Sequence, residues 1–214
     1  MSRDFEFKQI LRAYRNGIID EATFDKEMAK LEGGAGTSSN GGSFRAMGKS
    51  YPSERAAVMS FLENTAAGEA GGAEAFSKWA AVCKTDCIRS GLRMVAEREA
   101  YHSRQLAQRL RDMGGECQAS MGEEGRKFVN FVSNPDCSDV EKLGYLSKAF
   151  GEPDAIFKPV REFIASIKDD LESREMLRLF VEDECSTLTW LADCCKALGA
   201  PAQMAQTATA SATA

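Results

Sequence analysis

The chain has 214 residues, of which 43% are hydrophobic and 28% charged, and it carries a formal net charge of −5 at pH 7. That length can bury a real core, most simply as one domain plus an appendage, and the dispersed basic residues in an acidic chain exclude a nucleic-acid surface. No apolar run approaches the roughly 20 residues of a membrane span, and the opening Met-Ser-Arg-Asp-Phe-Glu lacks the apolar segment of a signal peptide, so a soluble, cytoplasmic protein with no membrane partner is expected.

Residues 5 to 31 read as a small helical hairpin. Ile10, Leu11 and Tyr14 form one amphipathic stripe, Phe24, Met28 and Leu31 another, and Gly17 breaks them apart. Asp20 is the expected N-cap of the second helix. The pattern Leu11-x-x-Tyr14-x-x-Gly17-Ile18-Ile19-Asp20-x-x-x-Phe24 resembles the short helical module known as SHOCT over about 25 residues. That resemblance assigns residues 1–32 to an oligomerisation or interaction element and implies a homo-oligomer. Residues 33–53, rich in Gly and Ser, are expected to be a flexible linker.

Ser53 is the expected N-cap of a long helix whose stripe runs Met59, Leu62, Ala66, Glu69, Ala73, Phe76, Ala80, Cys83. Glu69 sits mid-stripe, among Gly68, Gly71 and Gly72. Each interior glycine costs about 1 kcal/mol relative to alanine, so three of them imply either a packing or functional reason or a local break. The next helix, from about Asp86 to Met113, stops at Gly114-Gly115. A short connection at residues 84 to 86 makes the two antiparallel neighbours.

Within this second long helix, Ile88, Leu92, Val95, Glu99, His102, Leu106, Leu110 and Met113 form one unbroken stripe. His102 is the only histidine of the chain. Glu99 precedes it by three positions, so both side chains leave the same helix face, about 5–6 Å apart at Cβ. An ionised carboxylate on a core-facing stripe needs a partner, and a metal ion is an adequate one.

Two shorter helices follow, Glu123 to Val132 and Ser138 to Phe150, separated by Asn134-Pro135-Asp136. Pro153 and Asp154 start the next, with stripe Phe157, Val160, Ile164, Ile167, Leu171, and Pro159 is expected to delay its regular part. Ser173 is the expected start of the last helix. It runs Leu177, Phe180, Glu184, Thr187 or Leu188, Leu191, Cys194, Leu198 to Gly199 and ends at Pro201. Glu184 is thus a third mid-stripe carboxylate. The Ala/Thr/Ser-rich stretch over 200–214 is expected to be disordered.

The seven cysteines (83, 87, 117, 137, 185, 194, 195) fall largely within helical patterns and show no Cys-x-x-Cys spacing. They read as reduced thiols in a reducing compartment and mostly as small buried hydrophobes.

The segment Glu97-Arg-Glu99-Ala-Tyr-His102 with Leu106 resembles the second helix of a rubrerythrin or related ferritin-like domain. Phe180-Val-Glu-Asp-Glu184-Cys-Ser-Thr187-Leu-Thr-Trp190-Leu191 resembles its fourth helix. The resemblance spans about residues 54–199, and its spacing echoes internally: 30 residues separate Glu69 from Glu99, and 30 separate Asp154 from Glu184. It implies an all-α, ferritin-like four-helix bundle binding iron, or manganese or zinc, as one or two ions per subunit. The implied ligands are Glu69, Glu99, His102 and Glu184, with Asp154 as a longer-reach ligand of a second ion.

The chemistry so implied is iron-dependent oxidation by oxygen or peroxide, or iron oxidation itself, with an electron donor outside this chain. Two departures weigh against it: Thr187 stands where the family places a second histidine, and the third helix lacks a mid-stripe glutamate. A symmetric pair of sites with two histidines is therefore impossible within one subunit. The competing reading is a helical scaffold or oligomerisation protein that keeps the fold without the metal.

Overall fold

A computed structural model describes residues 3–15, 18–33, 44–150 and 152–199. The chain divides into two compact units, Met1–Ser43 and Phe44–Ala214. In the first, α1 (Arg3–Arg15) and α2 (Glu21–Gly33) form the expected hairpin. Asp20 caps α2, its Oδ1 accepting from the Thr23 amide at 2.8 Å, and hydrogen bonding from the Thr23 hydroxyl and amide holds the Asp20 carboxyl below the ordinary range. The Tyr14 and Phe24 rings stack at 4.6 Å and join the two helices. Gly17, residues 34–43 and residues 200–214 lie outside the described residues, as does the Leu31 side chain.

The second unit opens earlier than the linker reading allowed. β1 (Phe44–Ala46) and β2 (Lys49–Tyr51) pair antiparallel, Phe44 opposite Tyr51. Met47 and Gly48 both take positive φ, 52° and 74°, which is the backbone of a tight two-residue hairpin turn. Ala46, Phe44 and Tyr51 then pack on the apolar core of the helices. The all-α class therefore holds apart from this short sheet.

Six helices follow: α3 (Glu54–Val82), α4 (Asp86–Asp112), α5 (Glu123–Ser133), α6 (Asp139–Phe150), α7 (Pro153–Ser166) and α8 (Leu171–Ala197). Ser53 caps α3 through the Ala56 amide, and Gly114, at φ 75°, ends α4. α3 continues unbroken through its glycines. α8 starts two residues upstream of the expected Ser173, at Leu171, because Asp170, not Ser173, accepts the capping bond. Ser173 is instead fully buried, its hydroxyl taking a bond from Arg109 Nε at 2.9 Å. Pro159 lies inside α7 without breaking it.

α4 runs antiparallel to both long neighbours. Against α3, Arg55 reaches the Met113 carbonyl and Ser103 the Ala66 carbonyl. Against α8, Arg109 pairs with Asp170 at one end and Gly91 lies under the Trp190 ring at the other, where any Cβ would overlap the indole. The Glu54 carboxylate binds the α7–α8 turn through the amides of Lys168, Asp169 and Asp170. Among the described residues no helix is long and apolar enough to cross a membrane.

Two apolar clusters result. One joins the α3 start, the α4 end, α7 and the first half of α8 through Leu62, Leu106, Ile167 and Leu177. The other joins the α3 end, the α4 start, α5, α6 and the last half of α8 through Trp79, Leu92, Val132, Leu143 and Leu191. Between them, at one level of the three long helices, lie the buried polar residues Glu69, Glu99, His102 and Thr187. α7 has 14 residues against 27 in α8, so it spans only one of the two clusters.

Candidate metal centre

The polar layer follows from helix periodicity. Glu99 and His102 continue the buried stripe of α4 and are 5% and 4% exposed; Glu69 on α3 is 8% exposed. α8 presents Glu184 to the same level. His102 Nδ1 lies 3.1 Å from Glu184 Oε1 and 3.5 Å from Glu69 Oε2. One ligand atom from each of Glu69, His102 and Glu184 falls within 4.8 Å of the others. Glu69 Oε2 is buried and makes no hydrogen bond; His102 Nδ1, which faces it, stands off at 3.5 Å, so its desolvation is only partly offset.

The far side of the imidazole is equally defined. Nε2 lies 3.1 Å from Asp183 Oδ2, and the Phe180 ring meets the imidazole edge-on at 5.1 Å. A carboxylate holding the outer ring nitrogen orients histidine ligands and fixes their tautomer in metal sites. Asp183 escaped the sequence reading because it lies off the α8 stripe. Its signal was adjacency: one residue from Glu184 is a rotation of about 100°, enough to flank the ring.

The electrostatics describe a crowded acid cluster. Burial, reinforced by the charges of Glu69 and Glu184, pushes the Glu99 carboxyl up to about 10. Burial and the charge of Glu184 also raise Glu69. For His102, burial disfavours the imidazolium, but Glu184, Glu69 and Asp183 outweigh it and raise the ring to about 10. Without a further cation, the layer keeps its protons to limit buried charge.

Glu99 stands beside the converging trio rather than in it. Its carboxyl fills the space opened by Gly72, where a Cβ would lie 2.6 Å from Glu99 Oε2. That close approach is the packing reason for a glycine inside α3. Asp154 is not brought to the layer at all: it is exposed and paired with Arg161 at 3.0 Å. It lies in the first turn of α7 on the exposed face, while Ile156 and Phe157 of the same helix face inward. Glu162 is exposed as well, so α7 adds no carboxylate for a second ion. Thr187, in the place of the second histidine, is buried and accepts from Arg98 Nη1 at 2.9 Å, while the same nitrogen donates to the Asp183 carbonyl.

Fold and site together define a helical protein with a buried carboxylate–imidazole cluster between two apolar cores. Comparison with protein-family models, with curated proteins and with solved structures finds no match for the chain. The functional reading accordingly stands on geometry and donor chemistry.

Proposed function

We propose that the second unit is a ferritin-like helical bundle that binds one divalent transition-metal ion per chain, iron foremost, through Glu69, His102 and Glu184. The observation that carries this reading is the convergence of one ligand atom each from Glu69, His102 and Glu184, beside a buried Glu69 oxygen that makes no hydrogen bond. One imidazole with carboxylates suits iron, manganese or zinc. His102 would ligate through Nδ1, the nitrogen facing both glutamates, and keep its Nε2 proton on Asp183. Glu99 serves as an adjoining carboxyl able to take up or release a proton at the site. A bound iron would supply Lewis-acid and redox chemistry, and oxidoreductase or iron-oxidising activity is the function proposed for it.

A scaffold reading is favoured by one observation, the Arg98–Thr187 bond occupying the second histidine's position. Titrating chelator-treated protein with Mn2+ by calorimetry separates the two. The metal reading expects one tight site, weakened at least 100-fold by His102→Ala, and a higher melting temperature with metal than with chelator. Binding equal in wild type and variant leaves the scaffold. The hairpin of α1 and α2 is proposed as the homo-oligomerisation element; deleting residues 1–32 is expected to lower the subunit count in light scattering, and an unchanged count removes that role.

A further inference from the structure

A cavity of about 700 Å³ adjoins the acid cluster, with Glu69, Glu99 and Glu184 in its wall. It exists because two elements withhold side chains: α3 offers Gly68, Gly71 and Gly72. The start of α5 offers Gly122 and Gly125, which complete the opening. The remaining walls are mainly apolar, chiefly Phe76, Phe128, Phe157, Leu188 and Leu191. Its rim at Asn64, Gly68, Ser120 and Gly122 is exposed, so the chamber communicates with solvent.

Met121 is placed as an adjustable wall. A Cβ on Gly71 would lie 3.0 Å from its methyl, and one on Gly125 would lie 2.6 Å from its Cγ. The thioether thus runs between two glycines, and methionine re-packs readily around varied apolar shapes. Close-packed interiors tolerate few voids, while chambers of this size, apolar with a few convergent polar groups, are the usual form of small-molecule sites.

We propose that this cavity binds a neutral, mainly apolar organic molecule with a single oxygen-bearing end, its apolar body against Phe128, Leu188 and Met121 and its oxygen toward Glu69, Glu99 and Glu184. Three carboxyl groups in the wall disfavour an anionic ligand, and the apolar walls offer too few partners for a strongly polar one. The assignment deepens the metal reading by naming the class of molecule that would share the site with the ion, and it rests on that reading only for the ion; occupation of the chamber needs none.

The test is calorimetric titration of the full chain with 1-hexanol, 1-octanol, 1-decanol and octanoate, each with chelator and with Mn2+. Affinity for the alcohols is expected to rise about fourfold per added methylene, and chelated protein should prefer octanol over octanoate at least tenfold. Leu188→Trp and, independently, Gly68→Phe should each weaken decanol at least tenfold while Mn2+ uptake persists. A Cβ at Gly68 meets nothing within 4 Å, and losing a helical glycine favours α3, so this variant keeps the fold. His102→Ala should lose Mn2+ and keep decanol.

No alcohol binding by wild type, affinity independent of chain length, or decanol binding unchanged in both filled variants overturns the proposal. Alcohol binding without Mn2+ binding overturns the metal reading alone. Mn2+ binding without alcohol binding overturns the cavity assignment alone.

Discussion

Two buried carboxylate systems in the same unit have opposite surroundings. Asp139, 5% exposed at the start of α6, accepts from Trp79 Nε1 at 2.8 Å, the Lys84 amide at 3.0 Å, the Thr85 amide at 2.9 Å and the Thr85 hydroxyl at 2.7 Å. Burial works against its charge, yet these bonds hold its carboxyl below the ordinary range. Glu69, 8% exposed, keeps an oxygen that makes no hydrogen bond, and its carboxyl is raised. A buried acid whose lone pairs are filled by the protein is architecture, here fastening the α3–α4 turn to α6. One whose lone pair is left open is a place for something else to bind.

The contrast can be broken first at Asp139. Asp139→Ala leaves the indole N–H and two amides without acceptors and is expected to cost about 3–5 kcal/mol, read as a lowered urea midpoint. The pH dependence has a definite sign. The folded pKa of Asp139 lies below its unfolded value of about 3.8, so its contribution is complete above the unfolded pKa and lost as pH falls through the folded one. The wild-type stability advantage over Asp139→Asn should therefore shrink on acidification below about pH 4; an advantage that stays constant there contradicts the ionised reading.

A packing effect comes next. Gly91→Ala drives a Cβ into the Trp190 ring where α4 crosses α8, and overpacking of this kind costs about 1–3 kcal/mol. The pair with Trp190→Ala should be less than additive in chemical denaturation. The smallest effect has the opposite sign. Glu69→Gln removes a buried, only partly compensated acid and should stabilise chelated protein by about 1 kcal/mol while abolishing the melting increase produced by Mn2+. Destabilisation of chelated protein comparable to that of Asp139→Ala would erase the distinction between the two acids.

Much of this was legible in residue periodicity. The stripes of α3, α4 and α8 put Glu69, Glu99, His102 and Glu184 on core-facing sides, because a 3.6-residue repeat fixes a face independently of the neighbours. The caps at Asp20 and Ser53 and the stop at Gly114 were equally local. What stayed hidden depends on distant partners. Asp139 and Arg98 sit in unremarkable sequence and gain their roles from Trp79, Thr85 and Thr187. The 44–51 hairpin lay beside a Gly/Ser run, with Met47 rather than Asn or Gly at its first turn position. Asp154 satisfied a spacing echo of 30 residues, but spacing cannot reveal that its side chain lies on the exposed face of α7, where it pairs with Arg161.

The claim that the open acid layer is a metal centre is tested most directly by elemental analysis of the purified full chain alongside Glu69→Ala, His102→Ala and Glu184→Ala. The account predicts about one equivalent of iron, manganese or zinc per wild-type chain, as expected of a single-ion site, and a loss of at least tenfold in each variant. Wild-type metal content no higher than that of the three variants would contradict it.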